Sequence, residues 1–297
     1  MVISDANCRF VAQKKSHMKK VLLLAMISMG LIANSQVKMP APSTTQTISQ
    51  DFGMGKIELT YSRPNIKGRS LLKENSDLAP LNKLWRLGAN AATRIKFTDN
   101  VTIGGKLLDT GSYVLYAIPG KEYWEIIVNK GLNNWGTDGY KEAEDVLRVK
   151  LKSEKMSGAV ETFTMQFAAI QAETCELHIM WGNTAVQVPI STNVKSRLAA
   201  QIEKELNADK VNPAIYQTAA NFYFEWDKDL NKALANVKKA TAATPNGFWL
   251  FLLQAKIEKE MGDKVAAKAS AEKCIALATT AKNDDYVKQA NDLIKKL

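Results

Sequence analysis

Residues able to do chemistry gather in one stretch, Tyr61 to Arg94, YSRPNIKGRSLLKENSDLAPLNKLWRLGANAATR. It holds Arg63, Arg69, Arg86 and Arg94, while Arg148 and Arg197 are the other arginines downstream of residue 35. Lysines are spread along the whole chain. A guanidinium is a planar fork that grips carboxylate or phosphate at two points, so a cluster of arginine alone says more than general basicity. Read as a site, Arg63, Arg69 and Arg86 with Asn90 line a pocket for an anionic group, and Trp85, Trp135 and Tyr140 supply aromatic walls. Aromatic walls with a few fixed polar groups are how small-ligand and sugar sites are built. Read as scaffolding, the same arginines tie a long loop to the fold through carbonyls and acids such as Asp77, Asp138, Glu142 and Asp145. Gly88-Ala89-Asn90 is then a turn whose Asn tolerates positive φ. Both readings stay open at this point.

Other reactive groups are sparse. Glu122 with Glu125, or Asp138 with Asp145, could act as acid and base of a glycosidase, but no spacing selects such a pair. His178 lies between Leu177 and Ile179 in a strand-like run, which turns its side chain to the opposite face from theirs. There is no Gly-x-Ser-x-Gly elbow and no phosphate-binding glycine loop. With His17 as the other histidine and no Cys pair near His178, neither a metal site nor a cofactor is expected. Cys8 lies near the start. Cys175 and Cys274 fall in different parts of the chain and are expected to be small buried hydrophobes, with no disulfide framework.

The 297 residues suffice for about two domains. Apolar content of 46% and charged content of 24% are those of a globular protein. The formal charge of +10 falls to +6 beyond residue 35, where 35 basic groups face 29 acidic ones, so nothing in the balance argues for nucleic acid. The N-terminus reads as a signal peptide with an upstream extension over residues 1–35. Lys19-Lys20 precede the apolar run Val21 to Ala33, and Ala33-Asn34-Ser35 places the cut before Gln36. That run is too short to span a bilayer comfortably. The expectation is a periplasmic or secreted protein with no integral membrane segment after cleavage.

Residues 36–43 form a Pro-rich linker. Strand signals follow at Thr45–Gln50, Lys56–Tyr61, Thr93–Thr98, Val101–Ile103, Ser112–Ile118 and Tyr123–Asn129. Further signals fall at Val146–Leu151, Thr162–Ile170, Cys175–Trp181 and Ala185–Ile190. Residues 65–92 read as a long loop with a short helical turn near 78–86, held by Leu84, Trp85 and Leu87. Short strands punctuated by turns predict an antiparallel β-sandwich or barrel over 44–191. From Val194 the apolar period becomes helical, and 194–297 reads as an α-helical repeat domain. Ala233, Val237 and Ala240 recur 34 residues later as Ala267, Ala271 and Cys274, which resembles the tetratricopeptide pattern of close-packed helix pairs. Pro245 closes the first unit, and the second lacks such a proline.

Residues 38–190 resemble a bacterial family classed as a domain of unknown function, number 2911. The resemblance rests on Tyr61-Ser62-Arg63-Pro64, Lys67-Gly68-Arg69, Trp85-Arg86-x-Gly88-Ala89-Asn90 and Gly111-x-Tyr113 running to Ile118-Pro119-Gly120. Trp124 to Asn129, Trp135-Gly136 and Glu161-Thr162-Phe163 complete it. The chain departs from that pattern at Leu87 and at Ala91-Ala92, where an acidic residue is common in the family. The resemblance implies a secreted or periplasmic β-domain and brings no activity with it.

The function expected is non-catalytic binding by an exported protein. A small anionic or carbohydrate ligand sits at the Arg/Trp loop, and a protein or peptide partner sits on the helical repeats. An envelope glycan hydrolase and a structural envelope component are the alternatives.

Overall fold

Period-two alternation of apolar residues builds the sheet. In β2 (Gly55–Arg63), Ile57, Leu59 and Tyr61 turn inward and are buried, while Glu58 and Thr60 face out. The computed structural model describes residues 39–297, so the leader and its cut before Gln36 lie outside the described residues. β1 (Thr44–Phe52), β3 (Thr93–Phe97), β4 (Val101–Ile103), β5 (Lys106–Leu108), β6 (Gly111–Pro119) and β7 (Tyr123–Asn129) are short. β8 (Asp145–Ala168) and β9 (Thr174–Ser191) are long. The nine strands form one antiparallel sheet in the order β1-β2-β3-β6-β7-β8-β9-β4-β5. Its ends, β1 and β5, do not pair with each other, so the sheet is unclosed and folds over as a sandwich.

The four strands expected over 146–190 are two continuous ones. The gap expected between the first two is bridged by register shifts between Lys155 and Thr164, which bend β8 without ending it, and Gly182 stays paired with Val160. β8 pairs first with β7, from Asn129↔Asp145 to Tyr123↔Lys152, and then with β9, from Ser153↔Val186 to Ala168↔Glu176. One strand thus carries the sheet from one layer into the other. Tyr113 to Ala117 in β6 are all buried, because the inner core covers one face and a smaller cluster with Ala92, Leu132 and Tyr140 covers the other.

The loop from Pro64 to Ala92 has no helical turn. Ser76 bends it instead: its hydroxyl donates to Ser70 O at 2.7 Å and accepts from Leu78 N and Ala79 N. Two backbone bonds then dock Trp85 on β6, Trp85 N to Ala117 O at 2.7 Å and Ala117 N to Trp85 O at 2.8 Å. The Trp85 indole, 4% exposed, stacks on Trp181 at 5.7 Å and meets Trp124 and Phe163 edge-on at 5.9 and 5.1 Å. A loop residue therefore fills the middle of the sandwich.

Six helices follow: α1 (Val194–Leu206), α2 (Ala214–Phe222), α3 (Leu230–Ala243), α4 (Phe248–Glu260), α5 (Lys264–Thr280) and α6 (Asp284–Ile294). Asp229 and Asp263, again 34 residues apart, cap α3 and α5 by accepting from Lys232 N and Ala266 N. Ala233, Val237 and Ala240 on α3, and Ala267, Ala271 and Cys274 on α5, are all buried at the helix seams. Small side chains at these seams let the paired helices approach, as the tetratricopeptide-like pattern requires. The first helix is fastened to the sheet by charge. Glu173, in the turn between β8 and β9, accepts from Val194 N at 2.6 Å and Lys195 N at 2.7 Å at the start of α1. Arg197 on the same helix pairs with Asp99. A carboxylate on the positive end of a helix satisfies amides that the helix itself leaves open. Glu173→Ala should therefore cost about 1–2 kcal/mol, read as a lower urea midpoint with an unchanged m-value.

Candidate functional site

The arginine-rich stretch does not present a single face. Arg63 donates through Nε to Phe163 O at 3.2 Å and through Nη2 to Thr164 Oγ1 at 2.9 Å. Arg69 donates to Ile66 O at 3.2 Å and Asn65 O at 2.6 Å. Both tie the loop to carbonyls, the second of the two readings above. Trp85 belongs to the core, and its Nε1 donates to Gly88 O at 3.3 Å. Tyr140 lies on the outer face of the sheet, edge-on to Tyr116 at 5.1 Å, and joins a cluster with Asp145 and Arg148. Arg86 stands apart. Its Nε is buried with no hydrogen-bond partner. Its Nη1 packs on Gly136, where a Cβ would come within 2.6 Å of it. The φ of +65° at Gly136 suits glycine, and the missing side chain leaves room for the guanidinium.

Asn90 and Trp135 do come together. On the outer face of β1–β3, Thr45, Thr60, Ser62, Asn90, Arg94 and Trp135 line a recess of about 380 Å³. A second recess of about 310 Å³ shares Thr60 and Arg94 and extends along Thr47, Glu58 and Lys96 to Leu132. Together they form a groove. Its floor is polar: Thr47 Oγ1 meets Thr60 Oγ1 at 3.0 Å, Thr45 Oγ1 meets Ser62 Oγ at 3.2 Å, and Asn90 Nδ2 donates to Ser62 Oγ at 3.3 Å. Trp135 stands on its rim, 65% exposed. Arg94 Nη2 donates to Leu132 O at 2.6 Å and so fastens the Gly131–Tyr140 loop as the groove's wall. Glu58, the carboxylate in this lining, is paired with Lys96 at 3.4 Å. Arg94, counted in the arginine cluster, was not placed in the candidate site, nor were Ser62 and Thr60. Their signal was the alternation that puts Glu58, Thr60 and Ser62 on one face of β2, opposite Arg94 and Lys96 of β3.

Residues 43–190 match the family model described as "Protein of unknown function (DUF2911)". This segment belongs to the DUF2911 family. Curated protein sequences return no match. The solution structure of a protein from Bordetella parapertussis is similar at 19% identity, over 35% of this chain and 87% of that one, with a TM-score of 0.30.

Several residues that mark the DUF2911 segment meet at the seam where β2 passes β8. Tyr61 Oη donates to Met165 O at 3.0 Å and accepts from Met165 N at 2.9 Å. Phe163 N donates to Pro64 O at 2.8 Å. The Glu161 carboxylate accepts from Lys67 N at 2.7 Å, and its carbonyl accepts from Trp181 Nε1 at 3.1 Å. A Cβ on Gly88 would lie 2.7 Å from Ser62 O, so only glycine lets the chain pass there. These residues hold the sandwich together. Asn90, Trp135 and Gly136, from the same set of motifs, sit at or beside the groove.

The carboxylates are largely committed to the fold. Asp145 accepts from Asn129 Nδ2, Tyr140 Oη and Arg148 Nε, each at 2.8 Å. Arg148 also pairs with Glu125 at 3.2 Å and Glu142 at 3.4 Å. His178 and Glu176 are bonded to each other at 2.7 Å. Cys175 and Cys274 are free and buried, and burial with the nearby Glu176 pushes the Cys175 thiol up to about 11. Among the described residues no cluster of three His, Cys, Asp or Glu could hold a metal. None of their helices is long and apolar enough to cross a membrane.

On the helical part, Phe224, Leu293, Lys256, Lys259 and Lys296 line a recess of about 440 Å³ between α4, α6 and the π turn that extends α2. Glu260, Asp292 and Gln289 share that lining, and Asp292 pairs with Lys295 outside it.

The Tyr140 cluster has a pH signature. Burial first, then the hydrogen bond to Asp145 and its negative charge, raise the Tyr140 phenol to about 12. The raised value favours the neutral phenol in the fold. That stabilisation is complete below the ordinary tyrosine value of about 10 and is lost as pH climbs towards 12. Ultraviolet titration should show one phenol ionising near 12, absent in Tyr140→Phe.

Proposed function

We propose that this protein is an exported, non-catalytic binding protein whose ligand lies in the groove beneath Trp135. One observation carries the reading: a tryptophan 65% exposed beside a floor of hydroxyls and an amide. An exposed indole is a costly surface unless it meets a partner, and a sugar ring offers a C–H face to stack on it and hydroxyls to bond the floor. Thr45, Thr60, Ser62 and Asn90 supply both donors and acceptors for such hydroxyls. The ligand class is therefore carbohydrate. The hydrolase alternative has less support, since glycoside hydrolysis uses two carboxyl groups and the groove offers Glu58, already paired with Lys96. Export rests on the charged and apolar leader read from sequence. In this reading the segments 44–191 and 194–297 are two working parts of one chain.

Screening immobilised glycans should find a binder, and Trp135→Ala should weaken it about tenfold or more, roughly 1.4 kcal/mol. Binding that survives this change unaltered, or a broad glycan panel with no binder, would defeat the proposal.

The helical part supports a protein partner. Lys256 and Lys259 of α4 and Lys296, just past the end of α6, line one recess, with Phe224 at its side. Positive charge around a partly apolar recess suits an acidic peptide segment. An oligoglutamate peptide should bind in a salt-dependent way, and the Lys256→Glu, Lys296→Glu double variant should weaken it about tenfold. Equal binding of oligoglutamate and oligolysine would count against this assignment.

A further inference from the structure

We propose that Arg86 is an oxyanion receptor, so that the ligand of the Trp135 groove carries a carboxylate, sulfate or phosphate group. The inference deepens the groove reading and rests on it for the identity of the ligand, but the Arg86 site is tested separately.

Of the six arginines in the described residues, five end on acceptors. Arg63 and Arg69 reach carbonyls, Arg94 reaches Leu132 O, Arg148 reaches three acids, and Arg197 reaches Asp99. For the Arg86 guanidinium the described residues supply no hydrogen bond and no ion pair, and its Nε is buried. A buried donor without an acceptor is rare in native folds, and a partly buried cation without a counter-charge rarer still. Four carboxylates of this face are engaged elsewhere, Glu58 by Lys96 and Asp145, Glu125 and Glu142 by Arg148.

The surroundings are shaped to keep the guanidinium in place. Its backbone is fixed from both sides, by the Trp85–Ala117 pair and by Thr93 N donating to Arg86 O at 3.2 Å. Gly136 leaves the space that Nη1 occupies. Gly136 is also the chain neighbour of Trp135 on the groove rim, and Asn90 and Ala91 of the turn after Arg86 line the same recess. Arg94 adds a second positive charge in the groove, with Nη2 alone engaged. A fork lacking an acceptor and packed on Gly136, the chain neighbour of the rim residue Trp135, fits an acidic glycan: a uronate, or a sulfated or phosphorylated sugar.

The test uses the full chain. The Arg86 Nε–H signal, assigned by its loss in Arg86→Gln, should move saturably as sodium sulfate or phosphate replaces chloride at constant ionic strength. Melting temperature should rise in parallel, and by more in the wild type than in Arg86→Gln, whose rise gives the general stabilisation by these anions. Arg86→Lys keeps the charge without the fork and should bind about tenfold more weakly. Gly136→Ala, which alters no charge, should do the same by displacing Nη1. A signal that ignores sulfate and phosphate, or an Arg86→Gln protein stabilised as well as wild type, overturns the site. An oligogalacturonate should then bind more tightly than a neutral cello-oligosaccharide, and Arg86→Gln should abolish that preference while neutral binding persists. A preference that survives Arg86→Gln but falls with Arg94→Gln assigns the charge to Arg94 and refutes the proposal. Trp135→Ala separates the two ideas: loss of oligosaccharide binding with the sulfate response intact leaves the Arg86 site standing whether or not the groove is a sugar site.

Discussion

Everything in the β half depends on Trp85 being held in the core by its own backbone. A loop of this length has a large conformational freedom to lose, and such loops are usually mobile unless something buries them. Here the two-way hydrogen bond with Ala117 makes Trp85 a one-residue continuation of the sheet, at the position beside β6 that β3 has already vacated. Its indole then completes the packing of Trp124, Phe163 and Trp181. Removal of such a side chain leaves a cavity that neighbours cannot close, typically at a cost of about 3–5 kcal/mol. The consequence for the surface is direct. A strand alternates sides, so a Trp85 fixed inward puts Arg86 outward, beneath the Gly131–Tyr140 loop.

That loop divides the outer face in two. Leu132 and Tyr140 pack over Val114, Tyr116 and Ile127 and cover the middle of the sheet. On one side Tyr140 seals a network in which Asp145 and Arg148 satisfy each other and their neighbours. On the other side the loop leaves Trp135 in solvent above hydroxyls. The contrast supports the side proposed for the ligand. A closed network of charges leaves little for a ligand to gain, whereas an exposed indole and an open polar floor leave much.

The fold was legible where physics is local. Alternation in Ile57, Leu59 and Tyr61 marks β2, and the shift to a helical period at Val194 marks the tail. The 34-residue recurrence of Ala233, Val237 and Ala240 correctly picks the seam positions of α3 and α5. What was not legible is what long-range pairing decides. Gly158 and Gly182 look like chain reversals, yet β8 and β9 run on through them. The run from Leu78 to Arg86 has helical spacing of apolar residues, yet the vacant edge of β6 takes its backbone bonds. For the groove, Asn90 and Trp135 stand out by type; Arg94 belongs to the arginine cluster but was not placed in the site, and Ser62 has no mark of its own. Their roles come from cross-strand neighbours, which sequence order hides.

The arginines show why residue type and spacing can propose a site but cannot settle it. Clustering in sequence suggested convergence, while the structure spreads them over separate tasks, because a guanidinium serves a carbonyl as readily as an anion. Arg69 satisfies carbonyls of the loop itself, which has no ladder to do so, and Arg63 satisfies Phe163 O where the register of β8 shifts. A donor used in this way stabilises the fold and is closed to anything else. Arg86 adds nothing of that kind. Leaving a buried donor unmet costs on the order of 1–3 kcal/mol, and more for a charged one. An apolar residue at the same place would avoid that cost while keeping the packing on Gly136. The fold tolerates the charge because Trp85 next to it is so firmly anchored. On the reading proposed for Arg86, strong anchoring beside an unmet donor is what binding, rather than stability, would require of the residue.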